Sequence, residues 1–352
     1  MAARDSNVTI GIGVTYPRHD LIQARLLRYG SDDVDFIRFG PNDILFSSRE
    51  VSGYKAKIDR VRGKVSWIWG MYPVPDVIYL DGRVEQEMVQ RMVQLIGKNV
   101  FNSFTFDKLE GHELLRQDPL LSRHLPDACS VYAGEGLNPD VDHFLRRHRE
   151  VYVKPADGAS GKGVFVVRLG EDGQVHVSSF EQGEKAYPNL WEWLPKLKPG
   201  WPYIMQQSIT TVRWYGLPTD IRLNMCKNGE GKWEEAFLMS RAALSGDYIR
   251  LNHYRMLLRR DFPDLFMRIK KSSEEIEAEI LKVGHRICGF FDESGHHMAD
   301  LGIDLGIDGS GKVWIFEVNP LPYPYTMAFG DMSLIRPLEY ARFLARRSLP
   351  QH

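Results

Sequence analysis

Between Val8 and Val14 apolar residues alternate with threonine and glycine (VTIGIGV), a pattern that predicts a buried strand. Val65–Trp69 (VSWIW) and Val77–Leu80 (VIYL) read as further short strands, the second following the punctuation of Pro73 and Pro75. Val84, Met88, Val89, Met92, Leu95 and Ile96 then recur at helical spacing. Residues 1–99 therefore read as a small α/β unit.

The texture changes beyond that point. Asp107–Leu115 predicts a short helix, and Val141, Phe144, Leu145 and His148 line one face of another. VYVKP is a strand stopped by Pro155; the turn from Gly158 to Gly163 follows, and GVFVVRL is the next strand. Strand, tight loop, strand makes a hairpin. Pro202–Ile209 (PYIMQQSI) is a strand leading out of this region. DIRLNM (from Asp220) and WEEAFLMS (from Trp233) open a β-rich stretch. A helix follows, with a capping box at Ser272 and Glu275 and apolar residues at Ile276, Ile280, Val283 and Ile287. LGIDLGI and VWIFEVN flank the turn DGSGK, and a last helix carries Leu334, Leu338, Ala341 and Leu344.

Composition narrows the class. The 352 residues suggest about two domains, or one with an insertion, and 43% apolar content suffices for a full core. Lys and Arg number 45 against 46 Asp and Glu, a net charge of -1, which argues against a dedicated nucleic-acid binder. No apolar run approaches the roughly 20 residues that cross a bilayer. MAARDSNVTI has no signal-peptide core, so the expected location is the cytoplasm, with no membrane partner. Cys129, Cys226 and Cys288 form no CxxC, which speaks against a disulfide framework or a thiolate zinc site.

Candidate chemistry is concentrated in a few segments. Gly11 and Gly13 do not complete GxGxxG, and the 158–163 loop is followed by a strand, so it is not a Walker loop. Lys154, at a strand end beside glycines 158, 161 and 163, suits a polyphosphate: the glycines admit close N–H···phosphate approach and the lysine adds charge. An ordinary hairpin with an exposed lysine fits the same residues. Glu317 and Asn319, i and i+2 on one strand, share a face, and Asp304 lies on the preceding strand. Two carboxylates and an amide oxygen are hard ligands suited to Mg²⁺, whereas a solvated face is hard to reconcile with so apolar a strand as VWIFEVN. Arg222, Arg241, Arg250 and Arg255 are candidates for anion clamps. His112, Glu113 and His124 do not make HExxH, and the adjacent His296 and His297 cannot share a helix face.

Taken in order, Lys108 in FDKLEGHELL, YVKPADGASGKGV, YIMQQSI, DIRLNM, SRAALSGDYIRLN and GIDLGIDGSGKVWIFEVNPLP resemble the ATP-grasp ligases over residues 104–322. The arginine and asparagine spacing is similar to the RimK type, and the WIFEVN ending most resembles the YheC/YheD branch, named for spore-coat-associated proteins. The resemblance implies an ATP-grasp fold, two α+β subdomains clasping ATP, preceded by a small N-terminal α/β domain. The expected bounds are 1–100, 101–205 and 206–352. It implies nucleotide contacts from Lys108, Lys154 and Lys162, and from a lid comprising Gly158, Ser160, Gly161 and Gly163. Met205, Gln206 and Gln207 would hold adenine through backbone groups at the hinge between the subdomains. Asp304, Glu317 and Asn319 would bind Mg²⁺. Arg241 would stabilise the transferring phosphoryl group, with Lys154, Arg222 and Asn252 completing the catalytic set.

The implied activity is an ATP- and Mg²⁺-dependent carboxylate–amine ligation through an acyl phosphate, on a small amino-acid or peptide substrate. The alternatives are a non-catalytic spore-coat scaffold that keeps the ATP-grasp shell, and an ATP-grasp kinase. Two departures stand out: QQSI has no acidic residue to meet ribose, and PLPYPY after EVN is bulkier than in many ligases. Arg222, Arg250 and Arg255 lead to the expectation that at least one meets a substrate carboxylate.

Overall fold

The computed structural model describes residues 8–15, 19–29, 31, 33–132, 139–158, 161–246, 248–250, 253–325 and 330–348. The first unit contains β1 (Val8–Gly13), α1 (His19–Tyr29), β2 (Val34–Phe39), β3 (Ile44–Leu45), β4 (Glu50–Asp59), β5 (Lys64–Pro73), β6 (Val77–Leu80), α2 (Gln86–Ile96) and β7 (Val100–Phe101). Its sheet runs β3-β4-β2-β1-β6-β7, with β5 paired to β4; β2, β1, β6 and β7 are parallel. Gly11 and Gly13 sit in a central strand and serve its packing against Pro75 and Leu80.

The second sheet is antiparallel throughout. It follows α3 (Lys108–Arg116) and is built from β8 (Ala128–Tyr132), β9 (Glu150–Pro155), β10 (Phe165–Leu169), β11 (Val175–Ser179), β12 (Gly183–Tyr187) and β13 (Pro202–Gln207) in the order β12-β11-β10-β9-β13-β8. Helix α4 (Pro139–His148) buries Val141 and Leu145 in its core, and α5 (Leu190–Trp193) buries Leu190 and Trp193 there. On β9 the period of two is clear: Val151 and Val153 enter the core, whereas Glu150, Tyr152 and Lys154 share the opposite face.

The third sheet combines β14 (Arg213–Trp214), β15 (Leu217–Lys227), β16 (Trp233–Ala243), β17 (Tyr254–Leu257), β18 (Asp300–Ile307) and β19 (Val313–Asn319) in the order β17-β16-β15-β18-β19, with β14 on β15. One face packs on α6 (Phe262–Leu265) and α7 (Ser273–Glu293), whose Ser272–Glu275 capping box forms as expected. Leu301, Ile303, Leu305 and Ile307 of β18 meet Ile276, Ile280, Val283 and Ile287 of α7 in that core. The other β18 face presents Gly302, Asp304 and Gly306.

The final helix, α8 (Met332–Ser348), leaves the third sheet and returns to the first unit, where Leu338, Ala341 and Ala345 join the core of β1, α1 and β6. Pro337 lies inside it and has no N–H for the Ser333 carbonyl one turn back. The fully buried Arg25 of α1 meets that need, donating from Nη1 to Ser333 O at 3.0 Å and to Leu334 O at 2.9 Å. Among the described residues, no helix is long and apolar enough to cross a membrane.

Candidate functional site

A cavity of about 800 Å³ opens between the second and third sheets. On its β9 side stand Glu150, Tyr152 and Lys154. On the facing side stand Asp220 and Arg222 of β15, Arg241 of β16, Asp304 of β18, and Phe316, Glu317 and Asn319 of β19. Asp304 and Glu317 are direct cross-strand partners, and a bulge shifts the register so that Leu305 meets Ile315. The extra residue allows the consecutive Phe316 and Glu317 both to line the cavity. The glycines flanking Asp304 make room for this wall. A Cβ on Gly302 would come within 2.6 Å of the Arg222 guanidinium, and one on Gly306 within 2.6 Å of the Phe316 ring.

The lysines converge from two elements. Asp107 caps α3 through a capping box with Glu110 and so fixes Lys108 at the first turn. Lys108 Nζ lies 3.2 Å from Glu317 Oε1 and donates to the Gly158 carbonyl at the lid base. Lys154 Nζ donates to Gln206 Oε1 at 2.8 Å and lies 5.5 Å from the Tyr152 ring and 6.0 Å from that of Phe316. Burial lowers the Lys154 ammonium to about 8, with Lys108 pushing the same way and Glu317 opposing.

The arginines are held by carboxylates. Arg241 grips Asp220 in a fork, Nε to Oδ1 at 2.8 Å and Nη2 to Oδ2 at 2.6 Å, and reaches Asp304 Oδ1 at 2.8 Å. Arg222 Nε lies 2.9 Å from Asp304 Oδ1, and its Nη2 donates to Oδ2 at 3.2 Å. Burial acts to raise the Asp304 carboxyl, but the guanidinium groups of Arg222 and Arg241 outweigh it and hold the group below its ordinary range.

Lys108, Lys154, Gly158, Gly161, Lys162, Gln206, Gln207, Arg222, Arg241, Asp304, Glu317 and Asn319 all line this one cavity. Gly163 has a left-handed φ of 67° and ends the lid turn against Pro155. The Met205 side chain does not line the cavity: strand alternation turns it to the core of the second sheet and its neighbour Gln206 to the cavity. Ser160 and Asn252 lie outside the described residues. Arg250 is spent on Glu181 at 3.1 Å, and Arg255 is an exposed residue of β17. Asp220 pairs with Arg241, and Arg222 is held by Asp304.

Three features went unread in the sequence. Tyr152 and Glu150 share the Lys154 face at a spacing of two, a signal that was available. Glu150 Oε1 accepts from Ser208 Oγ at 2.6 Å and its Oε2 from Arg168 Nε at 2.6 Å, at the cavity edge. Tyr254 and Tyr325 close the far end, their hydroxyls 3.0 Å apart, and the Arg241 guanidinium lies 5.8 Å from the Tyr254 ring.

Two carboxylates and an amide on adjacent strands form an all-oxygen donor set that fits a hard cation such as Mg²⁺. Both carboxylates are already matched with positive groups, Glu317 with Lys108 and Asp304 with two arginines. Among the described residues the Asn319 side-chain amide makes no hydrogen bond.

A YheC/D like ATP-grasp family matches residues 97–344. The chain is 25% identical over 313 residues to the endospore coat-associated protein YheD of Bacillus subtilis, covering 80% of this chain and 66% of that protein. It therefore spans about two thirds of that relative's length. It is 24% identical over 312 residues to the endospore coat-associated protein YheC of the same organism, covering 82% of this chain and 81% of that one. Among solved structures, the D-alanine–D-alanine ligase of Bacillus anthracis complexed with ATP superposes with a TM-score of 0.55 at 13% identity, over 97% of both chains. Likeness at that identity speaks for the fold.

Proposed function

The chain belongs to the YheC/D like ATP-grasp family, and on that premise we propose that it is an ATP-dependent ligase joining a carboxylate to an amine. The observation that carries the reading is the single wall of Asp304, Glu317 and Asn319 facing Lys108 and Lys154 across one cavity, with a glycine-rich hairpin at its mouth. Positive side chains from two sheets and a set of hard oxygen ligands suit a triphosphate and its cation, and they have no evident use in a scaffold.

In this reading Lys108 and Lys154 hold the phosphate chain, and backbone N–H groups of the lid approach it closely because glycine occupies 158, 161 and 163. Gln206, Gln207 and the connecting residues after β13 face the base, and Glu150 meets the ribose hydroxyls in place of the acidic residue missing from QQSI. Asp304, Glu317 and Asn319 would hold Mg²⁺, which when bound shields the phosphate charges. Arg241 and Arg222, fixed in orientation by Asp220 and Asp304, present donors to the transferring phosphoryl group without reorganising.

The substrate carboxylate attacks the γ-phosphorus, the bond to the bridging oxygen breaks, and ADP leaves. The amine then attacks the acyl carbon and loses a proton as phosphate departs. A carboxylate-bearing amino acid or peptide suits the arginine-floored end beside Tyr254 and Tyr325. Calorimetric titration with ATP and Mg²⁺ tests the nucleotide half of the proposal: saturable binding below millimolar concentration is expected, and none at millimolar concentration would sink it.

A further inference from the structure

Resting on the nucleotide reading above, we propose that Tyr248, Ile249 and Arg250 form a strap that fastens the lid, with Tyr248 and Arg250 as its positioning residues. Tyr248 and Arg250 follow β16 of the third sheet in sequence, and both meet residues of the second sheet and its turns. Tyr248 Oη donates to the carbonyl of Val164, the residue that joins the lid turn to β10, at 3.1 Å. The same oxygen accepts from the N–H of Phe180, in the turn between β11 and β12, at 3.3 Å. Arg250 lays its guanidinium 3.7 Å from the centre of the Phe180 ring and brings Nη2 within 3.1 Å of Glu181. The lid backbone rests on the strap: Gly161, at a φ of 69°, passes so close that a Cβ would stand 2.9 Å from the Ile249 carbonyl oxygen and 3.1 Å from Arg250 Cγ.

These contacts tie two sheets together on the side of the cavity away from the β13 connection. A nucleotide held between the sheets cannot leave until they part. Opening must break the Tyr248 hydrogen bonds, the Arg250–Phe180 stacking and the Arg250–Glu181 pair in one movement. The strap thus acts on release, whereas entry into an already open cavity does not pass through it. The arginine that the sequence suggested for a substrate carboxylate is given to closure.

The test is stopped-flow fluorescence of the full chain with N-methylanthraniloyl-ADP and Mg²⁺. Arg250→Ala should raise the dissociation rate about tenfold, the effect of losing one stacked, paired guanidinium, with the association rate unchanged within about twofold. Arg250→Lys should fall between, because it keeps the charge and loses the planar stack. Glu181→Ala should raise the dissociation rate less, and the double variant should release no faster than Arg250→Ala alone. Tyr248→Phe removes only a hydroxyl, so with Glu181→Ala it carries the test if Arg250→Ala fails to fold. An unchanged dissociation rate in these variants would overturn the strap. Failure of the unaltered protein to bind the probe would overturn the nucleotide reading and the strap together, an outcome distinct from normal binding with unaltered release.

Discussion

Asp304 and Glu317 are paired on neighbouring strands and share a proposed ligand role, yet their removal should have unequal consequences for the fold. In Asp304→Ala, Arg241 keeps its fork to Asp220, but Arg222 loses the one carboxylate it meets among the described residues. The Arg222 side chain is 14% exposed and lies against Gly302, so it has little room to turn to water. Stripping one partner from a buried ion pair costs about 3–5 kcal/mol, most of it the penalty on the charge left behind. In Glu317→Ala, Lys108 is also 14% exposed but keeps the Gly158 carbonyl, so its charge is not left without a partner and the loss should be about 2 kcal/mol, that of one hydrogen bond to a charged group. Asp304→Asn, which keeps the shape and part of the hydrogen bonding, should fall between. Urea unfolding at fixed temperature, followed by tryptophan fluorescence, reads the difference without any ligand. Equal losses in the two alanine variants would refute the argument, since they would mean that Arg222 replaces its lost carboxylate as readily as Lys108 keeps the Gly158 carbonyl.

Gly306→Ala should push the Phe316 ring into the cavity and weaken ATP affinity about tenfold in calorimetry, the scale of overpacking by one methyl; unaltered affinity would contradict the close packing. ATP affinity should fall as pH rises through about 8, by at most about tenfold per unit, as Lys154 loses its proton, and a flat profile from pH 7 to 9 would count against Lys154 as a phosphate contact. The linkage for stability runs the other way: between about 8 and the ordinary 10.5 the unfolded chain holds this proton and the folded one does not, so this group makes stability rise with pH in that window. Pro337→Ala supplies the missing N–H to Ser333, so it should stabilise the chain by about 1 kcal/mol more in an Arg25→Leu background than alone; strictly additive unfolding energies would rule out the proposed exchange of donors.

The site was legible where chemistry follows strand periodicity. In LGIDLGI the apolar residues point to α7, and glycine, aspartate and glycine point to the cavity, so the wall can be read two residues at a time. Glu317 and Asn319 are readable in the same way. Phe316 is not, because the bulge that turns it inward is a property of pairing with β18 and leaves no mark on β19 itself. Arg222 and Arg241 looked like free clamps for the same reason: their carboxylate partners lie on other strands, 82 and 63 residues away in the case of Asp304. On β13 the same alternation sends the Met205 side chain to the core and that of Gln206 to the cavity, so Met205 can offer the base its backbone alone. In the first unit, α1, β2 and β4 went unread. Polar residues punctuate all three, and their buried faces come from distant elements: Ile22 and Leu26 of α1 share a core with α8, whereas Ile37 and Phe39 of β2 and Val51 of β4 share one with α2.

The most direct test of the central claim is product analysis of the full chain incubated with ATP, Mg²⁺ and a matrix of amino acids and short peptides carrying ¹⁸O in their carboxylates. The account predicts ADP, phosphate and an amide in equal amounts, one ¹⁸O passing from the carboxylate into the phosphate, and loss of all three products in Glu317→Ala. Phosphorylated substrate without amide, or phosphate free of ¹⁸O, would contradict ligation through an acyl phosphate.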